Sequence, residues 1–473
     1  CPTVWTHMSN AAEVIVLGLG PGGEQAATDC LAGGLSVIGI EAELVGGECP
    51  YWGCIPSKMA IRAATVLEES RRISDLAGSS TTTPDWNMVA SRIRNQATDN
   101  WNDQIAVDRF TGNGGTFVRG HGTITGPREV EVDGVRYTAN KALVIASGTK
   151  AAVPPIPGLD TVSFWTNREA LKSTNVPPSL VVLGGGAIGC ELAQVFNRFG
   201  SKVTIIEAAP RLIALEEPEA GEILAQALAD DGISVIVGVG AKSVAKDPAN
   251  DGVNLTLADG AVISGDTLLV ATGRSSDLSA IDTGVLGIDP KAHRGLPTND
   301  YLELINDSGS IINGVYAVGD VAGKGAFTHV AVTQGRMVAD QILSKPTAAW
   351  NTRQVGHVTF TDPEVGAVGL TEDAARKAGI NVVTASYPME STTRGWIHGP
   401  GNKGTFKLVV DADKKIIVGG TVVGPHAGEI LAGLTVAVVG KVPVQKLIET
   451  VWAYPTYHRG FDAVLAELPD ELK

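Results

Sequence analysis

Cysteine is scarce in this sequence, which holds five in 473 residues. Cys1 belongs to a leading stretch, CPTVWTHMSN, that lacks the charged start and apolar core of a signal peptide; its His-Met-Ser is typical of a cloning remnant ahead of a native Met8. The cysteines that remain are too few for a disulfide-stapled fold: Cys30, Cys49, Cys54 and Cys190. We therefore expect a cytoplasmic protein in which a special cysteine pair has a chemical role.

Long apolar runs and a surplus of basic charge are lacking as well. Runs such as Leu180–Leu183 fall short of the roughly 20 apolar residues that a membrane span requires. The 37 basic and 51 acidic residues give a net charge of −14, which repels a phosphate backbone and an anionic membrane surface alike. We predict neither nucleic acid nor a membrane as partner, and no metal site.

Glycine, by contrast, is abundant, with 57 residues, and the hydrophobic fraction is 44%. This composition is typical of a compact α/β protein with many tight turns. A prior of roughly 150 residues per domain suggests about three domains. The sequence therefore predicts several α/β modules in one chain.

The segment EVIVLGLGPGGEQAA predicts a dinucleotide-binding turn. An apolar strand, Val14–Leu17, runs into Gly18-x-Gly20-x-x-Gly23 and then into a helix-forming stretch. Glycines in this order permit a tight turn and bring a pyrophosphate close to a helix N-terminus. Glu41 closes the next strand, LSVIGIE, where a ribose-binding carboxylate is expected.

The same pattern recurs in LVVLGGGAIGCELAQVF, with Gly184-x-Gly186-x-x-Gly189 followed by a helix and the strand KVTIIE, which ends at Glu207. Two dinucleotide sites are implied. The Glu207 carboxylate accepts hydrogen bonds from ribose hydroxyls and repels a 2′-phosphate, so NADH is favoured. Arg211 keeps NADPH as an alternative because a guanidinium pairs with that phosphate.

Three further segments pair an apolar strand with a small-residue turn: Ala142–Gly158, Asp266–Asp277 and Gly314–Gly323. The first two are typical of crossovers that leave a nucleotide-binding domain. In the third, Asp320 follows Gly319 at the carboxyl end of a strand, which suits a ligand for a sugar or ribitol hydroxyl. A helix N-cap is the alternative for this aspartate.

Two cysteines lie five positions apart in VGGECPYWGCIPSK, residues 45–58. In a regular helix their Cα atoms would be roughly 8–9 Å apart, whereas a disulfide tolerates about 4.4–6.8 Å. A bridge between Cys49 and Cys54 therefore requires a departure from regular helix, which Pro50 and Gly53 permit. A helix N-terminus lowers the pKa of a thiol, which makes the reduced pair reactive. A disulfide that closes so short a loop stabilises the fold little through chain entropy. Redox activity is therefore favoured over a purely structural disulfide.

From about Glu13 to Leu468 the chain resembles the flavoprotein pyridine nucleotide-disulfide oxidoreductases, the family of dihydrolipoamide dehydrogenase. The markers follow in family order: the first fingerprint, GGEC....GCIPSK, ASG, the second fingerprint, ATGR, YAVGD, TDPEVGAVGLTE and VVGPHAGEI. The resemblance implies two Rossmann-like domains, for FAD and NAD(P), and a C-terminal α+β dimerisation domain. The implied boundaries are 10–155 and 279–348 for FAD, 156–278 for NAD(P) and 349–473 for dimerisation in a homodimer.

The resemblance also assigns residues to roles. Hydride would pass from NADH to flavin N5, and two electrons would then reduce the Cys49–Cys54 disulfide, with Cys54 on the flavin side and Cys49 meeting the substrate. Lys58 and Glu191 match an ion pair beside the flavin; alternatively, Glu191 complements its helix dipole. By the resemblance, FAD is held by Gly18, Gly20 and Gly23 of the first fingerprint with Glu41 and Asp320. The nicotinamide nucleotide is held by Gly184, Gly186 and Gly189 of the second fingerprint with Glu207. The other cofactor-binding residues are Gly47, Lys58, Ser147, Gly148, Gly319, Gly273 and Arg274.

The pattern breaks near the C-terminus, in AYPTYHRGFDAVLAEL. Tyr454 stands where family members that reduce small disulfides have the histidine of a His-Glu dyad, and His458 is an alternative base. The tail also lacks the additional cysteine pair of mercuric reductases. Tyr51 and Trp52 between the cysteines either line an apolar acceptor site or pack inside.

These features predict an FAD-dependent, NAD(P)H-oxidising enzyme whose acceptor is a disulfide or thiol other than ordinary lipoamide. One alternative is reduction of a quinone or another electrophile by the flavin. Others are a true dihydrolipoamide dehydrogenase with a rearranged base, and a redox sensor or assembly component. The sequence leaves open the acceptor, the pathway, the direction of electron flow and the residue that replaces the dyad.

Overall fold

The computed structural model describes residues 10–248, 251–350 and 355–473. The predictions made for Cys1 and Met8 lie outside these residues. By its internal contacts the chain divides into two units, which are described separately. Unit 1 comprises the described residues of Cys1–Pro56, Arg94–Lys150 and Arg274–Thr352, and unit 2 those of Ser57–Ile93, Ala151–Gly273 and Arg353–Lys473.

The α-helices and β-strands alternate through much of the chain. The α-helices are α1 (Pro21–Ala32), α2 (Glu48–Trp52), α3 (Cys54–Arg72), α4 (Trp86–Arg92), α5 (Gln104–Gly112), α6 (Asn167–Lys172), α7 (Ala187–Arg198), α8 (Pro218–Asp230), α9 (Thr328–Ile342), α10 (Glu372–Lys377), α11 (Thr393–His398), α12 (Ala427–Val439), α13 (Val444–Ile448) and α14 (Gly460–Ala466). The strands are β1 (Ala11–Leu17), β2 (Val37–Glu41), β3 (Thr116–Arg119), β4 (Thr123–Gly126), β5 (Glu129–Val132), β6 (Val135–Ile145), β7 (Lys150–Ala151), β8 (Ser179–Leu183), β9 (Lys202–Glu207), β10 (Ser234–Val237), β11 (Ala241–Lys246), β12 (Val253–Leu257), β13 (Val262–Gly265), β14 (Thr267–Val270), β15 (Arg274–Ser275), β16 (Glu303–Ile305), β17 (Ile311–Ala317), β18 (Gly356–Thr359), β19 (Glu364–Gly369), β20 (Val382–Pro388), β21 (Thr405–Asp411) and β22 (Ile416–Gly424).

Unit 1 is built on one sheet with the order β16-β17-β6-β1-β2-β3, to which β5 and β4 add beside β6. Strands β17, β6, β1, β2 and β3 are parallel. Val14, Ile15 and Val16 of the central strand β1 are fully buried. Ile15 belongs to one hydrophobic cluster, and Val14 and Val16 belong to another. Burial on both faces explains why this strand is continuously apolar rather than alternating.

Unit 2 contains a second parallel sheet, β10-β9-β8-β14, and an antiparallel sheet, β11-β12-β13. Its third sheet, β18-β19-β22-β21-β20, is antiparallel and packs against α12. The predicted α/β class, with two Rossmann-like folds and a C-terminal α+β domain, is confirmed.

Each predicted nucleotide-binding turn joins a central parallel strand to a helix, β1 to α1 and β8 to α7. The carboxyl ends of parallel strands flanking such a turn form the crevice where ligands bind in open α/β sheets. In the described parts of the chain, no helix is long and apolar enough to cross a bilayer.

Candidate active site

The first fingerprint turn is shaped by close backbone contacts. Gly18 has φ +96°, and a Cβ added to it would overlap the carbonyl oxygen of Ala146. A Cβ at Gly23 would overlap the carbonyl oxygen of Gly18. Gly20 caps α1 without a side-chain hydrogen bond, and an added Cβ there would reach no atom beyond its chain neighbours closer than 4.0 Å. The bare backbone at this helix start fits a dinucleotide pyrophosphate.

The second fingerprint repeats this geometry in unit 2. Gly184 has φ +114° against the carbonyl of Ala271, and Gly189 packs on the carbonyl of Gly184. Gly186 caps α7 with no side-chain hydrogen bond, and an added Cβ would have open space around it. The residues present therefore fit two dinucleotides, one in each unit.

The two strand-end carboxylates make matching hydrogen bonds. Glu41 accepts the backbone N–H groups of Leu19 at 2.7 Å and Glu43 at 2.8 Å. Glu207 accepts those of Gly185 and Ala209, both at 2.6 Å. Burial raises the pKa of Glu41, while these N–H donors oppose the shift. A carboxylate has about four acceptor positions, so each keeps capacity for ribose hydroxyls.

Asp320 lies in a polar group at the carboxyl ends of β6 and β17. Its carboxylate accepts the Thr149 hydroxyl at 2.6 Å, and the Arg274 guanidinium lies 3.8 Å away. Arg274 also donates to both the hydroxyl and the carbonyl of Thr149 and pairs with Glu48 at 3.3 Å. Gly319 caps the 3₁₀ turn that Asp320 begins, and no side-chain cap is made, so the N-cap alternative for Asp320 is wrong.

Other predicted cofactor residues follow strand ends. Ser147 and Gly148 follow β6 in unit 1, and Gly148 has φ +66°. Gly273 follows β14 in unit 2, with φ +113°.

The cysteine segment begins against the first fingerprint. Gly47 has φ +66°, and a Cβ added to it would come within 2.8 Å of the Gly20 Cα, so glycine is required for this approach. Helix α2 carries Cys49 and ends at Trp52, and Gly53, with φ −134° and ψ −112°, separates it from α3. Cys54 is the first residue of α3. The departure from regular helix between the cysteines is therefore present.

Both cysteine side chains are half-buried. The Cys54 Sγ lies 3.3 Å from the hydroxyl of Thr328, the first residue of α9. Tyr51 and Trp52 between the cysteines are only 7% and 8% exposed, so they pack inside unit 1.

Lys58 and Glu191 form an ion pair within unit 2, with Nζ and Oε2 2.8 Å apart. Glu191 is 5% exposed, and its Oε1 accepts the backbone N–H of Phe360 at 2.8 Å. The Lys58 ammonium also lies 4.8 Å from the centre of the Phe360 ring. Glu191 is the fifth residue of α7, outside its first turn, so the alternative that it complements the helix dipole there is wrong.

Helix α7 holds the segment that follows β18. Gln194 bonds both the N–H and the carbonyl of Asp362, at 2.8 and 2.9 Å. The Arg198 guanidinium, 2% exposed, pairs with the carboxylates of Asp362 at 2.9 Å and Asp231 at 3.0 Å. These bonds fix the chain next to Phe360 and thereby the donor that orients Glu191.

The other two cysteines have no place in this chemistry. Cys30 and Cys190 are fully buried in α1 and α7. Burial raises the pKa of the Cys30 thiol to about 12 and also raises that of Cys190, whose Sγ donates to the Gly185 carbonyl. Both are packing residues, as expected.

The C-terminal residues proposed as replacements for the dyad lie in unit 2. Tyr454 is 67% exposed. His458 belongs to the 3₁₀ turn Tyr457–Arg459, and its ring centre lies 6.0 Å from that of Phe461, edge to face. Arg459 pairs with Asp462 at 3.1 Å. Within the described residues, His458 makes no hydrogen bond to a carboxylate.

Several contacting residues were not predicted from the sequence: Thr149, Thr328, Gln194, Arg198 and Asp362. Thr149 adjoins the predicted Ser147 and Gly148, which is a usable signal. Thr328 and Cys54 are 274 positions apart, and no local pattern links them.

Comparison with known proteins matches these features. The model of the pyridine nucleotide-disulphide oxidoreductase family matches residues 12–335, and that of its dimerisation domain matches residues 355–464. The chain is 33% identical over 463 residues to a dihydrolipoyl dehydrogenase from Thermus scotoductus, covering 95% of both chains. It is 29% identical over 460 residues to a mercuric reductase from Staphylococcus aureus, covering 95% of this chain and 81% of the relative.

Solved structures with the same fold include two at 23% identity. One is the HOCl-induced flavoprotein disulfide reductase RclA from Escherichia coli, with TM-score 0.81, 23% identity and coverage of 97% of this chain and 100% of the other. The second is LpdA from Mycobacterium tuberculosis, with TM-score 0.83, 23% identity and coverage of 96% and 98%. The chain therefore belongs to the pyridine nucleotide-disulphide oxidoreductases, flavoprotein enzymes that use FAD and NAD(P)H.

Proposed function

We propose that this enzyme passes electrons from NADH through FAD to the Cys49–Cys54 pair and on to a disulfide or thiol substrate other than ordinary lipoamide. The observation that carries the proposal is the position of the two cysteines. They flank the break between α2 and α3, and Gly47 just before them packs on Gly20 of the first fingerprint.

The residues of unit 1 would hold FAD, with the pyrophosphate at Gly20 and hydroxyl groups at Glu41 and Asp320. FAD, when bound, accepts hydride from the nicotinamide and supplies two electrons to a disulfide. In unit 2, Gly186 and Glu207 would hold the nicotinamide nucleotide. Lys58 supplies a positive charge that Glu191 orients.

Each cysteine has its own task. Cys54 begins α3, where the helix dipole favours a thiolate, and the Thr328 hydroxyl, 3.3 Å from its Sγ, would donate to that thiolate. Cys49 attacks the substrate disulfide, so that a Cys49–substrate bond forms as the substrate S–S bond breaks. Cys54 then displaces the bound half and restores the Cys49–Cys54 disulfide. Each departing substrate thiolate takes up a proton or leaves as the anion.

The nature of the departing thiol selects the substrate class. Tyr454 stands where the dyad histidine is expected, and among the described residues no carboxylate bonds to His458. An alkyl thiolate is a poor leaving group unless it is protonated, so substrates that release one are reduced slowly when the proton donor lacks an orienting carboxylate. A thiol of low pKa leaves as the anion and needs no protonation. We therefore assign the enzyme to disulfides whose thiols are acidic, and Tyr454 and His458 are its candidate proton donors.

A comparison of acceptors tests this assignment. With NADH as donor, kcat/KM for an aromatic disulfide such as dithiobis(nitrobenzoate) should exceed that for lipoamide by about 10²-fold or more, since base catalysis typically contributes 10²–10⁴-fold. The measurement is steady-state NADH oxidation by the FAD-loaded protein. Rapid, reversible NAD reduction with dihydrolipoamide would instead identify an ordinary dihydrolipoamide dehydrogenase.

Reduction of a quinone by the flavin is a second candidate function. It is favoured by the exposed Tyr454 in place of a histidine, because a quinone accepts electrons without thiolate protonation by a C-terminal base. A quinone belongs in the same acceptor series. NADH oxidation that occurs with the quinone but with none of the disulfides would support this second function.

We also propose that NADH is the donor. The Nη2 atom of Arg211 donates to the carbonyls of Ala214 at 2.9 Å and Glu216 at 3.1 Å, so these bonds tie one end of the guanidinium to its own loop. With Arg211 held in this way, Glu207 would meet the nucleotide ribose without Arg211 beside it to neutralise a 2′-phosphate. This arrangement supports discrimination by charge.

The kinetic constants for both nucleotides test this preference. We expect kcat/KM for NADH to exceed that for NADPH by about tenfold or more, equivalent to about 1.4 kcal/mol. Glu207→Gln should lower the ratio of kcat/KM for NADH to kcat/KM for NADPH, because it removes the charge that repels a 2′-phosphate. The matched control is Glu222→Gln, at an exposed position of α8, which should leave this ratio unchanged. An unchanged ratio in Glu207→Gln would contradict the assigned role.

The dimerisation-domain match over residues 355–464 supports a homodimer, which we propose as the working form. Unit 2 exposes large apolar side chains that a partner subunit would cover, among them Trp396 at 75% and Val436 at 67% exposure.

A further inference from the structure

The helix that carries Cys49 depends on contacts made elsewhere in unit 1. Helix α2 has five residues, Glu48–Trp52, and a helix this short is not stable by itself. At its start, Glu48 pairs with Arg274 at 3.3 Å. The contacts at its end come from Thr98–Asp103, which we call the supporting segment.

Trp101 of the supporting segment makes two contacts with the end of α2. Its ring stacks on Trp52, with centres 5.6 Å apart and planes at 20°. Its indole N–H donates to the carbonyl of Tyr51 at 3.2 Å. The stacked ring and the hydrogen bond together fix both the position and the rotation of the helix end.

Asp103 of the same segment holds the chain ahead of the cysteines. Its buried carboxylate accepts the backbone N–H of Val45 at 2.7 Å and a bond from Arg119 at 2.6 Å. Val45 precedes Cys49 by four residues, and Trp52 follows it by three. The supporting segment therefore bonds to the chain on both sides of Cys49.

The supporting segment has an unusual backbone. Asp99, Asn100 and Trp101 have φ values of +46°, +55° and +57°. Asp and Asn tolerate the left-handed region, whereas tryptophan rarely adopts it. Hydrogen bonds hold this conformation, from Asn100 N–H to the Arg94 carbonyl at 2.6 Å and from Trp101 N–H to the Thr98 hydroxyl at 3.3 Å. Three consecutive left-handed residues persist only when their surroundings fix them, and such segments cluster at functional sites.

We propose that Trp101 is a positioning residue that sets the stability of the Cys49–Cys54 disulfide. By holding α2, it maintains the distance and orientation of Cys49 relative to the segment that leads to Cys54. A loosened α2 would lower the effective concentration of one thiol at the other, so the disulfide would be reduced more easily. This inference rests on the proposed redox function of the two cysteines.

The test is a redox titration of the FAD-loaded protein with dithiothreitol, followed by counting of accessible thiols. In this reaction the protein S–S bond breaks, the reagent closes its own S–S bond, and its two protons pass to Cys49 and Cys54. We expect Trp101→Leu to lower the equilibrium constant for disulfide formation by roughly tenfold, which corresponds to about 30 mV for a two-electron couple. Trp101→Phe keeps a stacking ring but loses the N–H donor, so its shift should be smaller.

Trp86→Phe is the matched control. Trp86 is 6% exposed, its indole N–H donates to the Ser173 carbonyl at 2.9 Å, and it packs on Phe196, all within unit 2. The Trp86→Phe substitution should lower the melting temperature without changing the equilibrium constant for Cys49–Cys54 disulfide formation. If Trp101→Leu leaves the equilibrium constant for disulfide formation unchanged, or if Trp86→Phe shifts it equally, Trp101 is only a packing residue and the proposal is wrong. If the wild type forms no Cys49–Cys54 disulfide under oxidising conditions, the proposed function itself is wrong.

Discussion

Replacing Cys49 by serine is expected to abolish NADH-driven reduction of disulfides, lowering turnover by about 10³-fold or more. Serine has nearly the same size, but its neutral hydroxyl is a far weaker nucleophile than a thiolate and forms no disulfide with Cys54. Binding of FAD and NADH should persist, because both fingerprints and their strand-end carboxylates are unchanged. The measurement compares NADH oxidation with an aromatic disulfide and with a quinone.

Cys30→Ala is the control for this substitution. Cys30 lies in the same unit, is fully buried in α1, and its thiol pKa is raised to about 12 by burial. We expect it to retain both activities. Disulfide reduction that survives in Cys49→Ser would show that electrons bypass the interchange thiol, and a dominant quinone activity would then favour the flavin as direct donor.

Replacing Glu191 by glutamine is expected to slow reduction of the flavin by NADH by about 10²-fold, the loss typical of one preorganised electrostatic group. Glutamine has the size of glutamate but no charge. The carboxylate accepts the Lys58 ammonium and the Phe360 N–H with separate oxygens, and in glutamine an NH2 group, itself a donor, replaces one of these two oxygens. Lys58 would lose its fixed orientation. Anaerobic rapid mixing with NADH, followed by flavin absorbance, gives the rate.

Glu191→Gln should lower the free energy of unfolding only modestly. The Lys58 side chain is 35% exposed, so water replaces part of the lost interaction. Lys58→Met should slow flavin reduction to a similar degree, and the double variant should be little worse than either single one, because paired residues act as a unit. Lys150→Gln, which breaks the exposed Lys150–Asp277 pair, should change nothing. A wild-type rate in Glu191→Gln would place the pair away from the reacting atoms.

The sequence determined the fold because its signals are local. Each nucleotide-binding unit places a strand, a glycine turn, a helix and an acid in one short stretch. The bonds Leu19 to Glu41 and Gly185 to Glu207 both span 22 positions. Strand periodicity and glycine order fix such a unit before any distant contact forms.

The sequence also limited the chemistry. Two cysteines separated by Pro50 and Gly53 required a break in the helix, and the break lies at Gly53. The tyrosine at position 454 removed the expected dyad from the pattern. The need for a break and the absence of the histidine both follow from the residue types in a short motif, whereas the structure located the break.

Only the tertiary structure decided which distant side chains support these residues. Lys58 and Glu191 are 133 positions apart, and the bond from Phe360 N–H that orients the carboxylate has no counterpart in local sequence. Likewise, nothing in the polar stretch around Asp99 predicts that Trp101 stacks on Trp52. Strand and turn signals act between near neighbours, whereas side-chain contacts depend on how completed elements pack, and packing is settled only when the whole chain has folded.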